Sequence, residues 1–238
     1  MCGGWTTYWQ GNTAANIGVG LSIKDAISEV LDGQSMTLEN SWTNADTVIV
    51  VLTETPYSEG VGDTDQLTLT TGNSHPENQA ALDIASQAQA AGKNVIGILI
   101  SGRPLVLGSN LDFFDAFIAA WLPGSEGGLG ISDVIFGDYD FTGKLSYTWP
   151  KDLSQIGYTS TQAVYDTSYV MFPFGYGLSY TTFEYSDLKT QVVSATEVSV
   201  SVTLKNTGKF TGKEVVQLYI KDHYASVTRP VRELKGFE

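Results

Sequence analysis

Residues 45–52 read ADTVIVVL, and ETPYSEGVGD follows at 54–63. The first stretch is an apolar, β-branched run without polar alternation. It predicts a strand covered on both faces, as in a parallel sheet between helices. The second stretch carries three carboxylates, Glu54, Glu59 and Asp63, with Pro56, Tyr57 and two glycines. A loop leaving the C-terminal edge of a parallel strand is where α/β folds place reactive and ligand-binding groups. Gly60 and Gly62 permit a sharp turn and close backbone approach. From these residues alone, a solvated acidic cap on the sheet is the better reading, because surface loops are commonly acidic.

Outward from this stretch, strands and helices alternate. LSIKDAISEVLDG (21–33) sets Ile23, Ala26, Ile27, Val30 and Leu31 at helical spacing, with Ser22 as cap and Gly33 as stop. PENQAALDIASQAQAAGKN (76–94) predicts a helix with Pro76 in its first turn and Gly92 at its end. NVIGILISG (94–102) and AFIAAWLPG (116–124) predict two more buried strands, and EGGLGISDVIFG (126–137) a Gly-rich helix. GKLSYTWP (143–150) predicts a short strand. This order implies an α/β domain with a mainly parallel sheet flanked by helices.

Near residue 180 the period changes to two. EVSVSVTLKNTG (197–208) puts Val198, Val200, Val202 and Leu204 on one face, and GKEVVQLYIKD (212–222) predicts another strand. These predict a partial antiparallel β-sandwich, because only about three or four of the usual seven or so strands fit before Glu238. The expected organisation is an α/β sandwich domain over 1–150, a loop-rich linker over 151–181 and the partial sandwich over 182–238.

Composition narrows the function. The 238 residues hold 13 Lys and Arg against 26 Asp and Glu, a net charge of −13. Nucleic acid is not an expected partner, because phosphate backbones need clustered cations. A neutral sugar is compatible. Cys2 is the single cysteine, so neither an internal disulfide nor a Cys-based zinc site is expected. His75 and His223 lack ligand spacing, and no metal or cofactor is expected. No apolar run approaches the roughly 18 residues of a membrane span. MCGGWTTYWQGN, at the start, lacks the basic and apolar regions of a signal peptide.

Two kinds of side chain remain to be placed. Trp5, Tyr8 and Trp9 present flat apolar faces near glycine turns, and sugar rings stack their C–H faces on such surfaces. The plain alternative is core aromatics under a loop. Arg103, just after a strand, reads as the partner of an internal carboxylate. PGSEGG (123–128) lacks the Lys-Ser/Thr ending of a phosphate loop. Ser125, Ser132 and His75 form no readable hydrolase triad. Trp121 reads as core, and FGYGLSY (174–180) as packing at the junction between domains.

Five stretches occur together: CGGWTTYWQG (2–11), ETPYSEGVGD (54–63), ISGRPLVL (100–107), AAWLPGSEGGLGISDVIFGDYDFTGKLSYTWP (119–150) and FPFGYGLSYTTFEY (172–185). In this order they resemble the C-terminal half of glycoside hydrolase family 3, the β-glucosidase and exo-β-glucanase family. The stretch from Phe183 onward resembles the fibronectin type III-like domain that follows in many members. GGWT…WQG points to the exo-glucanase-like branch.

The resemblance implies an α/β sandwich domain that works beside an N-terminal barrel domain, the barrel carrying an aspartate nucleophile. This chain has no room for the barrel. It is expected to begin just after the first strand of the sandwich domain, to stop inside the fibronectin-like domain, and to be inactive alone. Retaining glycosidases need two carboxyl groups about 5–5.5 Å apart, one attacking C1 and one protonating the leaving oxygen. The acid must hold its proton near neutral pH. In family members of the exo-glucanase branch the acid/base glutamate follows E-x-P-Y-x, and Glu59 matches it. The resemblance makes Trp9 one wall of the leaving-glucose site, with Trp5 beside it. Glu54 and Asp63 are then expected to order the loop. Many relatives have Lys where this chain has Val61.

The implied substrate is a β-glucoside or β-glucan oligosaccharide, cleaved from its non-reducing end without a cofactor or membrane partner. The intact enzyme is expected to be secreted or periplasmic. Two other readings stay open: a non-catalytic carbohydrate-binding or structural module, and a subunit complementing a separately encoded barrel. An in-frame barrel upstream, a neighbouring barrel gene, or neither would separate the three.

Overall fold

The computed structural model describes residues 8–10, 20–156, 169–227, 229–230 and 232–238. Its centre is a parallel sheet in the order β1 (Thr47–Thr53), β2 (Asn94–Ile100), β3 (Ala116–Trp121). Val48 pairs with Val95 and Leu52 with Leu99, so the two β-branched runs lie level. Val48, Val50, Leu52, Val95 and Leu99 are buried in one core cluster. Truncating such a leucine to alanine typically costs about 2–5 kcal/mol.

Among the described residues three α-helices accompany the sheet: α1 (Ile23–Leu31), α2 (Asn78–Ala90) and α3 (Gly127–Phe136). Ser22 caps α1 by accepting the Asp25 N–H at 3.1 Å, as the sequence predicts. α2 packs on β1 and β2 through Leu82, Ala85 and Ala88. α1 packs against α3, and the contact is backbone-close. A Cβ on Gly128 would lie 2.4 Å from Leu21 O, which explains a glycine inside that helix.

Because the strands are parallel, their C-terminal ends share one edge. Hydrogen bonding continues past the strands there: Glu54 N–H reaches Ile100 O and Ser101 N–H reaches Trp121 O, both at 3.1 Å. Trp121 has a φ of +56°, rare for a tryptophan, at the end of β3. Its ring lies 6.0 Å from that of Trp149, which is buried and donates its indole N–H to Leu105 O at 2.7 Å. Trp121 packs against the core, as expected.

The predicted strand at 143–150 is not formed. The segment runs antiparallel to 171–176 but touches it at two separated points. Leu145 exchanges hydrogen bonds with Tyr176 and Gly175, and Trp149 with Phe172 and Met171. Pro173 lies between them and has no N–H to donate, so no ladder closes and Trp149–Phe172 stays an isolated bridge.

Beyond residue 180 the described residues form four strands in two antiparallel pairs. β4 (Phe183–Ser194) pairs with β5 (Glu197–Asn206), and β6 (Gln217–Ile220) with β7 (Glu233–Phe237). β4 is bulged between Ser186 and Lys189, where Asp187 takes φ +53°. This half is tied to the first by Lys144, which meets Glu214 at 3.0 Å and Gly177 O at 2.8 Å. Asp140 accepts from Ser179 Oγ at 2.7 Å and Tyr180 N–H at 2.9 Å. No described helix is long and apolar enough to cross a membrane.

Candidate active site

The loop after β1 begins with a buried charge. Glu54 is 5% exposed. Its Oε1 accepts Arg103 Nε at 3.0 Å and Nη2 at 2.8 Å, and its Oε2 accepts the Tyr57 phenol at 2.9 Å. Ser101 Oγ lies 2.6 Å from the same Oε2 and accepts the Arg103 N–H. A carboxylate removed from water must be paired and hydrogen-bonded to be tolerated, and every partner here is a donor. Arg103 also sits over the Tyr57 ring, 4.3 Å from its centroid. Burial, and then the negative charge and hydrogen bond of Glu54, push the Tyr57 phenol well above its ordinary value.

From that anchor the chain makes a tight double turn. Gly62 N–H bonds Ser58 O at 2.8 Å and Asp63 N–H bonds Gly60 O at 3.0 Å. Gly60 has φ +74°, and a Cβ on Gly62 would meet the Tyr57 ring at 2.5 Å, so both positions need glycine. Side chains from elsewhere hold the turn by its backbone. Arg103 Nη1 reaches Gly62 O at 2.7 Å, and Asn73 Nδ2 reaches Val61 O at 2.8 Å.

Gln10 holds the other side. Its Oε1 accepts Ser58 N–H at 2.7 Å, and its Nε2 donates to Glu59 O at 3.1 Å. Ser58 Oγ donates to Trp9 O. Glu59 is exposed at the tip of the turn. Tyr8 and Trp9 are also exposed, Trp9 by 54%. The fold thus brings Glu59 and the Trp9 segment together, although they are far apart in sequence. Glu54 stands at the root of the loop. Asp63 is exposed and joins the turn through its backbone N–H. Trp5 lies outside the described residues.

Sequence reasoning missed Gln10, Asn73, Ser101 and Asn78. Asn78 is buried at the start of α2, accepts Thr53 N–H at 3.1 Å and donates to Thr53 O and Leu69 O at 2.9 and 2.8 Å. An amide that meets both the N–H and the C=O of a strand end acts as one more rung of the sheet. Gln10 and Ser101 stood inside quoted motifs and Asn78 inside a predicted helix, but none of the four carries a local signal of the bond it makes. Among the described residues no group of three or more His, Cys, Asp or Glu is gathered as a metal site.

Residues 1–180 match the glycosyl hydrolase family 3 C-terminal domain, and residues 214–238 match the fibronectin type III-like domain. The chain belongs to glycosyl hydrolase family 3. It is 36% identical over 215 residues to a periplasmic beta-glucosidase of Salmonella typhimurium, covering 82% of this chain and 27% of that protein. It is 36% identical over 200 residues to a beta-xylosidase of Formosa agariphila, covering 73% of this chain and 28% of that one. Among solved structures, a beta-glucosidase from Listeria innocua in complex with isofagomine superposes with a TM-score of 0.74 at 29% identity, over 92% of this chain and 34% of that chain. This family 3 chain spans about a quarter to a third of the length of these relatives.

Proposed function

We propose that this chain supplies the general acid/base and the leaving-group aromatics of a retaining β-glucosidase, with the nucleophile on a separate barrel domain. Glu59 is the acid/base. As the nucleophile attacks C1 and the C1–O bond breaks, Glu59 gives its proton to the departing oxygen. Its carboxylate then takes a proton from water as that water attacks C1 and releases glucose. Trp9 stacks on the leaving sugar, with Trp5 beside it. Glu54 and Asp63 order the loop. The substrate is a β-glucoside or β-glucan oligosaccharide, and the periplasmic relative supports an exported enzyme. Without the barrel's carboxylate, the chain alone is inactive.

One observation supports this reading most: the loop backbone is gripped at Ser58, Glu59, Val61 and Gly62 while Glu59 itself stays exposed. Rigid backbone under an exposed carboxyl suits a group that must meet a substrate at a set distance. The test is Glu59→Ala in the enzyme that includes the barrel. Hydrolysis of cellobiose should fall far more than that of dinitrophenyl glucoside, whose leaving group needs no proton. Azide should rescue the activated substrate and give β-glucosyl azide. Equal loss on both substrates without azide rescue would reject the assignment and point to Glu54 or Asp63.

A further inference from the structure

The segment 8–10 and the acid loop meet through a small set of bonds. Gln10 spends both ends of its amide on one two-residue unit, accepting the N–H that opens Ser58 and donating to the C=O that closes Glu59. One side chain thus holds both ends of that unit. Ser58 is 7% exposed, so an unpaired N–H there would be costly. The Ser58 hydroxyl returns a bond to Trp9 O, closing a ring of contacts between the two segments. Arg103 and Asn73 hold the loop at Gly62 and Val61, whereas Gln10 bonds the peptide group of Glu59 itself.

We propose that Gln10 is a positioning residue that locks Glu59 to the Trp9 segment, so that the acid and the leaving-group aromatic keep one geometry. The proposal rests on the reading of Glu59 as acid/base. A loss of the lock leaves the carboxyl chemically intact but misplaced. Proton transfer then suffers, because it depends on a short donor–acceptor approach to the leaving oxygen.

Two arms test it. The first uses the 238-residue chain and follows amide exchange by NMR. Gln10→Met, similar in shape but without donor or acceptor, should speed exchange of Ser58 N–H at least tenfold and leave Val50 and Leu52 in β1 unchanged. Unchanged exchange at Ser58 overturns the lock. The second arm measures kinetics in the enzyme with its barrel. Gln10→Met should lower kcat on cellobiose about tenfold and on dinitrophenyl glucoside less than about twofold. Gln10→Glu keeps an acceptor for Ser58 N–H but adds negative charge beside Glu59, so the alkaline limb of its pH profile should move upward. A merely structural role would not move the leaving-group ratio, whereas the limb reports the added charge beside Glu59. If Glu59→Ala shows the leaving-group split and the Gln10 variants do not, the positioning role falls alone. If Glu59→Ala shows no split, the reading of Glu59 falls and takes this proposal with it.

Discussion

Arg103 and Glu54 lie 49 positions apart in the chain and form one ion pair at the root of the acid loop, with Nη2 2.8 Å from Oε1. The Glu54 side chain is 3% exposed. Removing one partner of such a pair strands the other charge, which typically costs about 3–5 kcal/mol. Glu54→Leu and Arg103→Met should each lower the urea midpoint markedly at unchanged m. The double variant should recover part of the loss, because no orphan charge remains. A double variant no more stable than the singles would mean that the pair is worth more than its desolvation cost.

Tyr57 predicts an alkaline weakness. Its folded-state phenol is raised above the ordinary value by burial and by Glu54. Below pH about 10 it is protonated in both folded and unfolded chains, and its contribution is complete. Above that the unfolded chain ionises first, so stability should fall as pH rises from 9 to 11. Tyr57→Phe removes the bond to Glu54 and should cost about 1–2 kcal/mol at neutral pH. It should also flatten the alkaline slope, read as urea midpoint against pH.

Asp140 predicts the opposite limb. Partial burial opposes its ionisation, but bonds from Tyr180 N–H, Ser179 Oγ, Phe141 N–H and Lys213 N–H outweigh that and hold its carboxyl below the usual aspartate range. A depressed folded value contributes stability above the ordinary aspartate range near 4, lost as pH falls through it. Limited acid proteolysis should therefore open the 179–213 junction on going from pH 5 toward 3. Asp140→Asn should open it already at pH 5.

The β4–β5 pair predicts association. Val192 sits opposite Val198 and Tyr185 opposite Leu204, and all four are exposed. Val192 and Val198 are 75% and 55% exposed. Exposed apolar strand faces with open edges invite pairing between chains. Replacing Val192 and Val198 by threonine should lower light scattering of concentrated chain without moving the unfolding midpoint of the α/β half. Unchanged scattering would place the sticky surface elsewhere.

Much of the architecture was legible locally. The unbroken apolar runs at 48–52 and 95–100 announced buried parallel strands, because a strand covered on both faces has no reason to alternate. Ser22 and Gly33 marked the ends of α1 because caps and left-handed stops are short-range chemistry. The strand predicted at 143–150 failed for a reason outside itself, the proline at 173 in the segment it faces.

By itself the sequence determined the kinds of element, their order, and the glycine-hinged acidic loop after β1. Each of these follows from period, propensity and turn chemistry within a few residues. Tertiary structure alone decided which distant partners hold that loop. Gln10 reaches Ser58 across 48 positions, Arg103 reaches Gly62 across 41, and Asn73 reaches Val61 across 12. Such pairings leave no trace in local pattern, because an amide or guanidinium can bond any backbone group brought within about 3 Å. Only the parallel sheet, by gathering its C-terminal ends at one edge, sets which groups those are.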